Sequence, residues 1–181
     1  LRYFSISLLT ILFSLYAFEI YLPFKEKFSE QNILKDQILK EQFYEKQTEK
    51  KWDKRTRLQV YNDLKKINDD IVIRFQPTYS LKKQDNTIFP LSGISNSETI
   101  HCNENGYYSI YQSDRYGFNN PDKEWDSKVI EYLFVGDSLT HGSCVNRPND
   151  IASVLRTLSN NSILNLGYGG NGPLIEYATL R

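Results

Sequence analysis

The 181-residue chain has no methionine, two histidines and two cysteines. That scarcity excludes the Cys/His sets of structural zinc. The pairs here, His101-Cys102 and His141-x-x-Cys144, lack the usual ligand spacing. Charge of one sign is missing too: 22 basic residues face 22 acidic ones, so there is no basic footprint of a nucleic-acid binder. No internal repeat is present, and heptads are not sustained over three or four repeats, which argues against a long coiled coil. The chain opens on Leu1 without an initiator methionine and runs in a helical pattern into Arg181. A partial reading frame is the expectation.

One long hydrophobic run is present. Residues 3–18 carry no charge, and after Glu19 the run continues to Phe24. A spanning helix needs roughly 20 apolar residues, and Tyr3, Tyr16 and Tyr21 suit interfacial belts. No small-x-small cleavage pair lies near Ala17, so residues 1–24 read as an uncleaved membrane anchor, not a signal peptide. Arg2 before the span and Lys25 and Lys27 after it give only a faint orientation signal.

Residues 25–75 are charged and helical in pattern. Ile33, Leu34, Ile38, Leu39 and Phe43 recur at helical spacing, as do Leu58, Tyr61, Leu64 and Ile67. A solvated juxtamembrane stalk is expected. Residues 76–128 read as an irregular lead-in with one strand near Tyr107–Tyr111 and a turn-rich segment at Arg115–Asp122. An α/β rhythm follows over 129–181. Val129–Val135 reads as a buried strand, and Asn149-Asp150 as a helix start. Ile151, Val154, Leu155 and Leu158 give that helix an apolar face, and Ile163–Leu166 is a second strand. Gly167–Gly172 is a turn, and Pro173 suits the first position of another helix. Strand, helix, strand, helix with short loops predicts a parallel sheet with right-handed crossovers.

The strand ending in Gly136-Asp137-Ser138 places a serine where an open parallel sheet has its ligand crevice, outside the strand carboxyl ends. A nucleophilic serine needs an exposed hydroxyl, a base and donors for the oxyanion. The Ser138 N–H is one candidate donor. Gly170, in the loop after the next strand, is another, because lacking a Cβ it lets its N–H approach a substrate closely.

With these residues in hand, the chain resembles the SGNH, or GDSL, hydrolases over roughly residues 114–181. Gly136-Asp137-Ser138-Leu139 is similar to the family's first motif, whose serine is the nucleophile. Asn165-Leu166-Gly167-Tyr168-Gly169-Gly170-Asn171-Gly172 is similar to the second, whose glycine N–H lines the oxyanion hole; Gly170 is the best match, with Gly169 one position away. Tyr116-Gly117-Phe118-Asn119 resembles the segment before the first strand in exported relatives. The resemblance implies a partial doubly wound parallel sheet of flavodoxin-like type, preceded by the transmembrane helix and stalk. It implies acyl-ester hydrolysis through a covalent acyl-enzyme. The family also uses a Gly-x-Asn-Asp motif for a third donor and an Asp-x-x-His motif for the base. Residues 1–181 contain neither.

His141 lies three residues after Ser138, where base geometry is poor, and the family position is not catalytic; it reads as a supporting residue. Asp137 reads, by resemblance, as shaping the loop. His101 reads as a packing residue. Residues 167–172 literally satisfy Gly-x-Gly-x-x-Gly, but the acidic residue a dinucleotide site needs about twenty positions on is missing. No metal or organic cofactor is implied. Cys102 and Cys144 permit a disulfide in an oxidising compartment, and two unpaired thiols fit the sequence equally. The expected complete protein is a membrane-anchored extracytoplasmic esterase, periplasmic if bacterial, and residues 1–181 alone, lacking both the Gly-x-Asn-Asp and the Asp-x-x-His motifs, are expected to be inactive. Its partners are an acyl-ester substrate on a glycan or lipid and the membrane through residues 3–24, without nucleic acid. The alternatives are an envelope polysaccharide O-acyltransferase or deacetylase of the same fold, or a non-catalytic envelope binding protein.

Overall fold

The computed structural model describes residues 2–82 and 89–181, without the side chains of residues 2, 3, 5, 81 and 82. The interfacial Tyr3 side chain and the part of the lead-in at 83–88 therefore lie outside the described residues. The chain divides into two units, Leu1–Trp52 and Asp53–Arg181.

The first unit is one helix, α1 (Arg2–Thr48), of 47 residues and about 70 Å. It is long and apolar enough to cross a membrane. Phe4, Leu9, Phe13, Phe18 and Phe24 all stand exposed, so this surface is not consumed by packing within the unit. The anchor does not break from the stalk at residue 24. Pro23 lies inside the helix, and the turns on both sides hold although Pro removes one backbone bond. Tyr44 and Trp52 meet edge to face at 5.7 Å near its end.

The expected stalk over 25–75 is corrected: α1 ends at Thr48, and residues 53–75 belong to the folded unit. Thr56 opens α2 (Arg57–Leu64) with a capping box, its hydroxyl accepting from the Gln59 N–H while Gln59 accepts from the Thr56 N–H. α2 delivers Val60 into a core with Ile71 and Ile100, all three at most 2% exposed. Ile67, a member of the expected stripe, is instead exposed. β1 (Ile71–Ile73) pairs parallel with β2 (Glu98–Ile100), in register Ile71 to Glu98. β2 pairs antiparallel with β3 (Ile110–Gln112), in register Ile100 to Ile110. The lead-in is thus not merely irregular; it supplies two of the strands of a three-stranded sheet. β-branched Ile71-Val72-Ile73 and Thr99-Ile100 suit those half-buried positions.

The second sheet is β4 (Tyr132–Phe134) parallel to β5 (Ile163–Asn165), joined through α3 (Ser138–His141) and α4 (Ile151–Ser159); α5 (Pro173–Thr179) follows. This is an α/β region with a small parallel sheet. Two sequence expectations fail here. The strand at 129–135 is shorter and not buried: Val129 is 65% and Leu133 48% exposed. Among the described residues β4 pairs only with β5, which leaves much of its side-chain surface open. α4 also turns the other way. Ala152 and Ser153 are buried, while Ile151, Val154 and Leu158 are exposed. Asp150 caps α4 by accepting from the Ser153 N–H at 3.0 Å, and that cap, with Arg156 bonded to the Ile163 carbonyl, fixes the buried side. β5 is buried along its whole length, with Leu164, Leu166, Tyr168 and Phe118 forming its core.

Polar side chains tie the segment before β4 to both motif loops. Buried Asp114 accepts from the Phe118 N–H at 2.9 Å, the Asn120 amide at 2.9 Å and the Trp125 indole at 2.8 Å. Asn120 also donates to the Asn165 carbonyl and accepts from the Asn165 N–H, each at 2.9 Å, as a further strand would. Burying such groups is tolerable because each finds a partner.

Candidate active site

Parallel pairing carries past the strands and sets the two motifs side by side. The Leu166 N–H donates to the Phe134 carbonyl at 2.7 Å, and the Tyr168 N–H to the Gly136 carbonyl at 3.0 Å. Asn165, fully buried, bridges the loops: its amide donates to the Thr140 carbonyl at 2.7 Å and its oxygen accepts from the Gly167 N–H at 2.9 Å.

Ser138 begins α3 and is exposed. Asp137 is the N-cap, its carboxylate accepting from the Leu139 N–H at 3.4 Å. That contact caps the turn that holds Ser138. A Cβ added to Gly169 would lie 3.4 Å from the Ser138 Cβ and 2.8 Å from Arg74 Nη2, so this glycine packs directly beside the serine. Gly170 is exposed, with φ +85°, a conformation natural only to glycine. A side chain there would strike the Gln76 amide. Ser138 also lines a cleft of about 290 Å³ with Leu139, Val145, Ile151 and Glu104.

His141 is buried and bonded at both nitrogens: Nδ1 is 3.2 Å from the Gly167 carbonyl, and Nε2 is 3.2 Å from His101 Nδ1. Because a carbonyl only accepts, His141 carries its proton on Nδ1. His101 then donates from Nδ1, and its Nε2 accepts from the Ser143 hydroxyl at 3.4 Å. Both rings are neutral in this chain of bonds. Burial pushes His141 down to about 4 and His101 to about 2, with the Arg74 charge acting in the same direction on both. Tyr111 and Tyr168 pack edgewise on His141 at 5.0 and 5.3 Å. Burial raises both phenols above their ordinary range.

Cys102, following His101, and Cys144, three residues after His141, are joined as a disulfide with Cα atoms 5.1 Å apart. Among the described residues no group of three or more His, Cys, Asp or Glu side chains is arranged to hold a metal. A larger, open cleft of about 790 Å³ contains Arg147, Arg156 and Lys123 but none of the motif residues. Its two arginines are committed to the Gln112 and Ile163 carbonyls, so its size does not make it the reactive site.

The structure adds residues that the sequence reading missed. Arg74, Phe75 and Gln76 follow β1 and lie against the 168–170 turn. The Arg74 guanidinium donates to the Gly169 carbonyl, and the Tyr168 hydroxyl donates to the Phe75 carbonyl at 2.5 Å. The β-branched run at 71–73 was the available signal, since it marks a strand whose next residues emerge at a sheet end. No protein-family model matches this chain, and no curated protein or solved structure matches it.

Proposed function

We propose that the folded unit carries the nucleophile and oxyanion loops of a membrane-anchored, extracytoplasmic serine esterase of SGNH type. The observation that carries this reading is the packing of an exposed Ser138, at a sheet's carboxyl end, directly against the Gly169-Gly170 turn. Ser138 Oγ bonds to the acyl carbon. Its proton passes to a base and then to the leaving alcohol as the ester C–O bond breaks. Water repeats the sequence on the acyl-enzyme, releasing the acid and restoring the hydroxyl. The Ser138 and Gly170 N–H groups stabilise the negative oxygen. Leu139, Val145 and Ile151 offer an apolar wall for an acyl chain.

The reading requires a base, and neither imidazole offers it, because both are committed to one another and to Gly167 and Ser143. The Cys102–Cys144 disulfide supports an oxidising compartment, and α1 supports anchoring. The test is labelling with a fluorophosphonate probe and hydrolysis of p-nitrophenyl acetate by the full-length protein, beside Ser138→Ala. Loss of labelling and of hydrolysis, with circular dichroism unchanged, is expected. Equal activity in the variant ends the assignment. Release of p-nitrophenol only when a sugar acceptor is present, with the acetyl group recovered on the sugar, assigns transfer instead.

A further inference from the structure

Arg74 reaches the proposed oxyanion loop from outside the two motifs. Its root is fixed by the bond from its own N–H to the Ile100 carbonyl at 3.0 Å. Its guanidinium lies over the Tyr168 ring, Cζ 4.9 Å from the centroid, and that ring is fully buried. Its Nη2 donates to the Gly169 carbonyl across 95 residues of sequence. In an extended segment residues i and i+2 face the same way. Gln76 accordingly meets Gly170, the neighbour of the residue Arg74 meets.

The Gly169 carbonyl and the Gly170 N–H belong to one planar peptide unit, in which oxygen and hydrogen point in opposite directions. A donor held on that oxygen therefore sets where the N–H points. The restraint matters at this unit above others. Glycine stands on both sides of it, so no Cβ hinders rotation of the plane. A hydrogen bond from a charged donor is roughly twice as strong as a neutral one, and it polarises the amide so that the opposite N–H becomes a better donor.

We propose that Arg74 is a positioning residue, which orients and polarises the 169–170 peptide so that the Gly170 N–H faces the oxyanion formed at Ser138. This rests on the esterase reading for its consequence in catalysis, but the hold on the peptide is independent of that reading.

The experiment uses the full chain, labelled with 15N-glycine in detergent micelles, as wild type, Arg74→Ala and Arg74→Lys. Removing the donor moves the Gly170 nitrogen signal upfield and speeds exchange of its amide proton, while the Gly142 signal stays. Lysine, which keeps a charged donor without the planar fork, restores part of the shift. A Gly170 signal that does not move in either variant overturns the inference. If alanine unfolds the protein, the lysine variant alone decides, by a shift confined to the turn or none. In p-nitrophenyl acetate hydrolysis, Arg74→Ala lowers kcat by about a hundredfold, the scale of a misplaced catalytic group, with KM unchanged. A rise in KM at constant kcat overturns the positioning role. If Ser138→Ala retains the full rate, the serine reading fails, and the glycine signals still report whether Arg74 holds the peptide.

Discussion

The three-stranded sheet of residues 71–112 and the two-stranded sheet of residues 132–165 divide the work of this molecule unevenly. The second sheet carries the residues of the proposed chemistry: Ser138 follows β4, and the Gly169-Gly170 turn follows β5. Yet β4 is open, with Tyr132 44% and Leu133 48% exposed. The first sheet carries no reactive motif, but it is sealed by Val60, Ile71 and Ile100 and sends Arg74, His101 and Cys102 toward the second. A reactive loop at a sheet's end has little packing of its own. Here its shape is imposed from the other sheet by a guanidinium, an imidazole pair and a disulfide.

That division can be broken at several points. The largest effects fall on the reaction itself, in Ser138→Ala and then Arg74→Ala, as set out above. The next falls on the imidazole pair. His101 and His141 are neutral when folded and titrate below their ordinary value. The unfolded chain therefore binds more protons once the pH drops below about 6.5, and stability falls with pH. The loss continues until the folded groups protonate, at about 4 for His141 and about 2 for His101. Each histidine contributes about 1.4 kcal/mol per pH unit within its window. Urea unfolding between pH 7 and pH 4.5 should show that slope, and His101→Gln should remove roughly half of it. An unchanged slope would place the acid sensitivity elsewhere.

Cutting the covalent link comes next. Cys102 and Cys144 are 42 positions apart, and closing such a loop stabilises by about 2–4 kcal/mol. The Cys102→Ser, Cys144→Ser double variant should lose that amount in urea titration, with the second sheet exchanging its amide protons faster than the first. The smallest effect belongs to the first region alone. Thr56→Ala removes the α2 cap at a cost of about 1 kcal/mol, and should leave p-nitrophenyl acetate hydrolysis untouched. A change in kcat there would mean that α2 also steers the turn.

The elements around the motifs were legible because their signals are local. Asp150 before an apolar helix, Pro173 at a helix start and the short apolar run at 163–166 each state their structure within a few residues, and α4, α5 and β5 stand there. The facing of α4 was not legible. Ile151, Val154 and Leu158 form its apolar stripe, yet the side that packs is set by Asp150 and Arg156 reaching Ser153 and Ile163. Nor was the role of residues 53–75, since the charged composition of that stretch reads as a stalk. Its buried members, Val60 and Ile71, are closed over by Ile100, Tyr108 and Ile110, some thirty to fifty residues further on.

By itself, then, the sequence determined one apolar helix long enough for a bilayer, a strand ending in Gly-Asp-Ser and a glycine turn after the next strand, because each depends on neighbours within a turn or two of chain. Only the tertiary structure decided that His141 is locked to His101 instead of free beside Ser138, and that Arg74 grips the Gly169 carbonyl. Those outcomes depend on contacts between residues 40 and 95 positions apart, which no local pattern encodes and only the pairing of two sheets brings within hydrogen-bond reach.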